Sequence, residues 1–159
     1  MSSQQTSLLF RVPTPGVSRR SARLFAKRLS SEIAAGRAFG CLITGDAELR
    51  RLNREFRRQD HATDVLSFAA EDEGLAPRAP FLMGDVVLAF ETVSRQAQEQ
   101  GKPLADHLRH LVVHGVLHLL GYDHQEPGAA QEMEALETRV LARLGIADPY
   151  AERQAAGDD

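Results

Sequence analysis

The sequence has little cysteine and no tryptophan: one Cys and no Trp among 159 residues. A single cysteine excludes an intrachain disulfide, and Cys41 lies in the apolar run CLI, which is typical of a buried, inert thiol. No apolar run approaches the roughly 20 residues that cross a bilayer, and the polar start MSSQQTS lacks the order of a secretory signal. We therefore expect a cytoplasmic protein.

Several motifs of enzyme chemistry are also missing. The chain has no Gly-x-Ser-x-Gly elbow and no glycine-rich phosphate loop, which leaves covalent catalysis and nucleotide binding without a candidate. A net charge of −3 does not indicate a nucleic-acid binder, although a local basic face could still bind one. The hydrophobic share of 43% and charged share of 26% fit one packed domain, which we place at residues 1–150, followed by a disordered tail over 151–159.

Apolar patterning predicts four strands and about five helices. Continuous apolar runs predict strands near residues 7–12, 39–44, 62–69 and 83–90, which make one modest sheet. Helical periodicity predicts helices that begin near Ser18, Asp46, Glu91 and Pro103, and Ser18 and Asp46 are the expected caps. A last helix carries Met133 to Leu144 and ends at Gly145. The helix after Pro103 is apolar nearly all round, so we expect it to be buried. We expect residues 71–81 to form a surface loop.

That long helix contains the most informative spacing in the chain. His114 and His118 stand four apart, so both imidazoles lie on one helix face. Gly121 favours a helix end, after which the chain can fold back and bring His124 to the same place. Three imidazoles leave the fourth corner of a zinc tetrahedron for water, which is typical of a catalytic site. His110 shares the face of His114, and we assign it a supporting or core role.

The second helix is the densest basic segment of the sequence. Its core side is apolar, and five arginines with only two glutamates occupy the rest: Arg50, Arg51, Arg54, Arg57 and Arg58, with Glu48 and Glu55. Such a surface can bind phosphates through ion pairs that release counterions. A merely solvated helix face competes with this interpretation for most of these arginines.

The histidine spacing HxxxHxxGxxH is that of the metzincin proteases, so peptide hydrolysis is the first function to consider. Those enzymes place a glutamate directly after the first ligand as general base, and here that position is Gly115. Loss of a general base typically costs about 10²–10⁴ in rate, which argues against a protease. A phosphodiester suits a metal beside arginines better, because arginine can stabilise charge on a phosphate.

The segments HGVLHLLGYDH, NREFRRQDHATDVLSF and LMGDVVLA, together with MEALETRVLARLGIADPY, resemble the YbeY family of bacterial endoribonucleases. The resemblance spans roughly residues 39–150 in one order. It implies an α+β single domain with a small mixed sheet, and one zinc ion per chain held by His114, His118 and His124. It also assigns Arg57 to the same cleft. From the residues themselves we expect Arg57 and His114 to serve catalysis, and Arg54, Arg57 and Arg58 of the basic segment to bind substrate.

The function that the resemblance implies is cleavage of single-stranded RNA. Its context would be maturation of small-subunit ribosomal RNA and ribosome quality control, with ribosomal or assembly proteins as possible partners and no membrane. The oligomeric state stays open. An alternative is a non-catalytic ribosome-assembly factor in which a structural metal pins the last helix to the long one. An open fourth metal position argues against that alternative.

Overall fold

The computed structural model describes residues 6–57, 63–69, 82–122 and 127–150. Side chains of Arg57, Leu82 and Pro127, at segment ends, are outside this description. Within the described part, nine helices and strands follow one another along the chain. The surface loop predicted over 71–81 and the disordered tail predicted over 151–159 lie outside the described residues.

The sheet is four-stranded and mixed, as expected. Its strands are β1 Ser7–Phe10, β2 Ala38–Thr44, β3 Val65–Ala69 and β4 Leu82–Ala89, in the order β1-β2-β4-β3. The β1/β2 and β2/β4 pairs are parallel, and β3 pairs antiparallel with β4, with Leu66 opposite Val87. A parallel pair is typically covered on both faces, and β2 and β4 are accordingly apolar almost throughout.

Five helices accompany the sheet, and their bounds agree with the predicted ones to within a few residues except that the last begins earlier. They are α1 Arg19–Ile33, α2 Asp46–Arg57, α3 Phe90–Gln100, α4 Leu104–Leu119 and α5 Pro127–Arg143. Ser18 caps α1 as predicted, because its Oγ accepts a hydrogen bond from the backbone N–H of Ser21 at 3.2 Å. None of these helices is long and apolar enough to cross a membrane, in the part of the chain that the structure describes.

The start of α2 differs from the prediction. Asp46 is the first helical residue and not the cap, since the carbonyl of Gly45 already accepts from the N–H of Leu49. Its carboxylate instead accepts from the N–H and hydroxyl of Thr92 in α3, at 3.1 and 2.9 Å. In return, Glu91 Oε1 accepts from the N–H of Asp46 at 2.8 Å. The two helices therefore cap each other's N-termini across the fold.

The helix α4 is the centre of the larger hydrophobic core. It contacts β3, β4, α1, α3 and α5, and its buried positions include Leu108, Val112, Val113, Val116 and Leu117. The prediction of a buried long helix is therefore confirmed. A smaller cluster of Leu49, Phe68, Val87 and Ala89 lies under α2, which packs on β3 and β4. The sheet thus carries a large core with α4 and a small one with α2.

A glycine allows α4 to approach the sheet. A Cβ at Gly115 would lie 2.5 Å from Cγ1 of Val86 and 3.2 Å from Oγ of Ser67, both on strands beneath the helix. The Ser67 hydroxyl also donates to the Gly115 carbonyl at 2.9 Å, which spans helix and sheet directly. Any larger side chain at this position must push the helix away from the sheet.

Candidate functional site

The end of α4 fixes the ring of His118. Gly121, at φ 103°, stops the helix, and the N–H groups of Gly121 and Tyr122 donate to the carbonyls of His118 and Leu117, a Schellman arrangement. The carbonyl of Tyr122 then lies 3.0 Å from Nδ1 of His118. A carbonyl can only accept, so Nδ1 of His118 carries the proton and Nε2 presents its lone pair. The helix stop predicted at Gly121 is confirmed, and it orients His118.

A buried carboxylate fixes the ring of His114 in the same sense. Oε1 of Glu137, on α5, lies 2.5 Å from Nδ1 of His114. Burial alone would raise the pKa of Glu137, but hydrogen bonds from His110, His114 and Tyr150 lower that pKa to about 2. The carboxylate is therefore ionised at neutral pH and accepts from Nδ1–H of His114. Nε2 of His114 is left to present its lone pair, as in His118.

The two lone pairs face each other. Nε2 of His114 and Nε2 of His118 are 3.1 Å apart, and the ring planes lie at 78°. Two ligands at zinc–nitrogen distances of 2.0–2.1 Å in a tetrahedron would be about 3.3 Å apart. Two neutral imidazoles with both Nδ1 atoms protonated repel at this separation unless a cation lies between them. The pair therefore fits a shared metal ion in spacing, tautomer and charge.

The other predicted site residues divide into described and undescribed positions. His124, Arg58 and the side chain of Arg57 lie outside the described residues, so their places in the site stay predictions. Within the described part of the chain, no group of three His, Cys, Asp or Glu residues is arranged to hold a metal. Arg54 is exposed on α2, in agreement with a surface role.

The basic face of α2 is partly neutralised. Arg51 contacts Glu48 and Glu55, at 3.3 and 3.1 Å, and Arg11 of the chain after β1 also reaches Glu48 at 2.7 Å. The pKa of Glu48 is lowered, first by the Thr44 hydroxyl and, against some desolvation, by these arginines. Arg51 therefore belongs to an ordinary surface network, which was the alternative for most arginines of this helix.

The structure gives a second reason why position 115 does not hold the glutamate of a protease. Gly115, directly after the first histidine, faces the sheet, within 2.5 Å of Val86 if a Cβ were added. A glutamate there would point into the β3/β4 surface and not toward the two imidazoles. The protease arrangement is thus excluded by packing at this residue as well as by its identity.

Two residues that contact the candidate site were not predicted from the sequence, Glu137 and Tyr150. Oε2 of Glu137 accepts from Nε2 of His110 at 2.9 Å and from the Tyr150 hydroxyl at 2.5 Å. The carboxylate is 1% exposed, and Lys102 helps to hold the segment of Tyr150 by donating to the Pro149 carbonyl at 2.8 Å. The signal in the sequence was a glutamate inside the apolar stripe of the last helix. The supporting role predicted for His110 agrees with its contact to this carboxylate.

Comparisons with known proteins agree with the family resemblance of the sequence. A family model described as Endoribonuclease YbeY matches residues 17–145, a span that includes Arg57, His114, His118 and His124. An Endoribonuclease YbeY from Paramagnetospirillum magneticum is 58% identical over 115 residues, which are 70% of this chain and 70% of that protein. Another from Chelativorans sp. is 47% identical over 136 residues, covering 86% of this chain and 82% of that protein.

One solved structure also matches. The solution structure of TM1509 from Thermotoga maritima superposes with a TM-score of 0.56 at 20% identity, covering 91% of this chain and 98% of that one. At this identity the likeness shows the fold alone. It supports the mixed sheet with its surrounding helices as the architecture of a single domain.

Proposed function

The chain belongs to the YbeY family of endoribonucleases, and from this premise we propose that it is a metal-dependent enzyme that cleaves single-stranded RNA. An endoribonuclease role as such follows from family membership. The metal, its ligands, the residues that contact phosphate and the biological substrate are the parts that we propose. We assign one zinc ion to His114, His118 and His124, and phosphate binding to Arg57.

One observation carries the metal assignment. Nε2 of His114 and Nε2 of His118 are 3.1 Å apart, and each ring is held through Nδ1 by an acceptor, the Glu137 carboxylate or the Tyr122 carbonyl. Outer partners of this kind fix the tautomer that a metal requires and raise the basicity of the ligand nitrogen. His124 follows the helix stop within a few residues and would supply the third nitrogen.

The protein's own groups would handle the phosphate. A bound zinc ion would supply Lewis acidity toward a phosphoryl oxygen and acidify water at neutral pH. Arg57 would contact the phosphate through its planar guanidinium and stabilise the charge that develops there. Arg54, on the same helix, and Arg58, the next residue in the sequence, would bind neighbouring phosphates of the strand. A chain of net charge −3 then relies on a local basic surface to attract RNA.

We assign the cellular substrate to small-subunit ribosomal RNA, with ribosome quality control as a related role in the cytoplasm. The support is family membership together with the basic surface of α2. Ribosomal or assembly proteins would present the RNA.

A non-catalytic assembly factor with a structural metal is the second candidate. It shares the histidine geometry, since a metal at His114 and His118 would also pin the end of α4. The endoribonuclease names of the curated relatives favour the enzyme.

The decisive experiment measures cleavage of a fluorogenic single-stranded RNA by purified protein. Wild type is expected to cleave it, and His114→Ala or a chelator should abolish cleavage. Arg57→Ala should lose at least about 10²-fold in rate with zinc content retained, in the range of a lost charge-stabilising group. Arg28→Ala is the matched control, because Arg28 is an exposed arginine on another helix, α1.

Each outcome separates the candidates. Zinc binding by wild type without any RNA cleavage would favour the assembly factor. Cleavage that survives both the chelator and His114→Ala would reject metal catalysis. A binding constant for RNA that hardly changes with salt would reject the arginine surface, since phosphate contacts make log K fall linearly with log salt concentration.

A further inference from the structure

Glu137 is the one carboxylate that is fully buried in the described part of the chain, with 1% of its surface exposed. A buried charge costs several kcal/mol unless partners compensate it. Such a group in the core stripe of a helix therefore needs a reason. Apolar residues surround it along α5, with Met133 and Val140 both buried.

The partners of Glu137 are arranged asymmetrically. Oε1 has His114, a member of the candidate metal pair, whereas Oε2 has His110 and the Tyr150 hydroxyl. His110 and Tyr150 also contact each other, with Nε2 of His110 and the hydroxyl oxygen 3.2 Å apart and their rings at 86°. One oxygen is thus anchored by two groups, and the other is turned toward His114.

Among the described residues, the hydrogen-bonding contacts of the His110 ring are with Glu137 and Tyr150, and its edge also meets the ring of His107. Its ring is buried, and its Nδ1 is a buried atom without a hydrogen-bond partner in the described structure. A histidine placed only to fill the core would be replaced at lower cost by a leucine. The contact with Glu137 is what the ring contributes, so His110 acts on the carboxylate.

We propose that Glu137 is a positioning residue that holds His114 in its Nδ1–H tautomer, with Nε2 toward His118, while His110 and Tyr150 fix the carboxylate. This assignment rests on the proposed function insofar as the metal is concerned. The contact between Glu137 and His114 is made by the protein's own side chains, so the tautomer of His114 can be tested in the metal-free protein. Removing such an outer partner typically costs 10–100-fold in metal affinity.

The test uses Glu137→Gln, which keeps the volume and removes the charge. We expect the zinc dissociation constant, measured by competition with a chromophoric chelator, to rise about 10–100-fold. In the metal-free protein, nitrogen-detected imidazole spectra at a pH where the rings are neutral should show His114 shifting from the Nδ1–H tautomer to a mixture. Glu132→Gln, the same change at an exposed position of α5, is the control and should alter neither quantity.

Tyr150→Phe provides the second variant. It removes one hydrogen bond to Oε2 and keeps the ring, so zinc affinity should fall several-fold, less than in Glu137→Gln. If Glu137→Gln does not fold, as judged by its thermal transition with chelator present, Tyr150→Phe carries the test. An unchanged His114 tautomer and zinc affinity in that variant would then overturn the proposal.

The outcomes distinguish this proposal from the one on function. A Glu137→Gln protein that folds, keeps the Nδ1–H tautomer of His114 and binds zinc as wild type does would show that Glu137 is only structural. Wild type that binds zinc without cleaving RNA would remove the proposed activity and leave the positioning role intact. If wild type binds no zinc, the tautomer measurement alone decides.

Discussion

Gly115 shows how one absent side chain sets the distance between a helix and a sheet. The helix can rest on Val86 and Ser67 only because no Cβ intervenes. The same contact sets the distance between the strands and the backbone of His114, which is one residue earlier in the helix. The glycine is therefore a requirement of packing, and the missing protease glutamate is a consequence of it.

We expect Gly115→Ala to lower the free energy of unfolding by about 1–3 kcal/mol, because the new methyl overlaps Val86. Chemical denaturation measures this loss. Gly128→Ala is the control: nothing lies within 4 Å of its Cβ, so stability should stay the same or rise by up to about 1 kcal/mol. A Gly115→Ala, Val86→Ala double variant should cost less than the sum of the single ones. Strict additivity would contradict the overlap.

His107 offers a pH-dependent effect away from the metal pair. Burial, followed by the electrostatic effects of His110 and Lys102, lowers the pKa of His107 to about 4, against a smaller opposite effect of Asp64. The unfolded chain binds this proton at a higher pH than the native protein. The stability that the neutral state of His107 contributes is therefore fully present above the ordinary histidine pKa of about 6.5. It is lost as the pH falls toward 4.

We expect His107→Gln, which cannot titrate, to lose less stability than wild type between pH 6.5 and 4. The difference should reach up to about 3 kcal/mol, the equivalent of the pKa shift. Urea unfolding of both proteins at several pH values, with chelator present, measures it. Parallel curves over this window would contradict the buried, neutral state of His107.

At the scale of elements, α2 and α3 depend on each other's side chains. Asp46 satisfies the N-terminus of α3 through Thr92, and Glu91 satisfies that of α2. α3 has no side-chain cap of its own at Ala89. The pair joins two helices that are distant in sequence, so loss of either cap loosens both helix starts and the link between them.

We expect Asp46→Ala and Glu91→Ala each to cost about 0.5–2 kcal/mol in the free energy of unfolding, the usual value of a lost cap. The double variant should show a coupling term, since the two carboxylates lie within one hydrogen-bonded group. Thermal unfolding with Glu132→Ala as the exposed control would measure these values. Costs near zero for both single variants would mean that water replaces the caps.

Helices and their ends could be predicted where the signal lies in residues that are neighbours in the sequence. Helical stripes, the Ser18 cap and the glycine stops at Gly121 and Gly145 depend on neighbouring residues, and these predictions are confirmed. The cap assigned to Asp46 was wrong because its partner lies in another helix. The site shows the same division. The spacing of His114 and His118 was visible, whereas the carboxylate that orients His114 comes from α5, and only folding brings them together.

At the scale of the whole molecule, the two faces of the sheet are unequal. The face with α4 belongs to a core that α1, α3 and α5 also join, whereas α2 is held by the small cluster around Leu49 and Phe68. The helix α2, which carries the proposed substrate residues Arg54 and Arg57, is thus attached less extensively than α4, which carries the proposed metal ligands His114 and His118. Binding surfaces are often drawn from the less stable parts of a fold.

We expect amide hydrogen exchange to report this difference. Peptides from α2 should exchange through partial opening, at a lower free energy than peptides from α4, whose amides should exchange only with global unfolding. Mass spectrometry in the presence of chelator measures both without a contribution from metal. Equal protection of the two helices would mean that the sheet and its helices open as one unit.

The contact between Tyr150 and Glu137 determines when the histidine site can form during synthesis of the chain. A nascent chain that has emerged as far as α4 already contains His114 and His118, but neither the carboxylate of Glu137 nor the hydroxyl that holds it. The N-terminal part of a chain leaves the ribosome first, and a domain generally folds as a unit. The alignment of His114 by Glu137 therefore has to wait until α5 and Tyr150 have also left the ribosome.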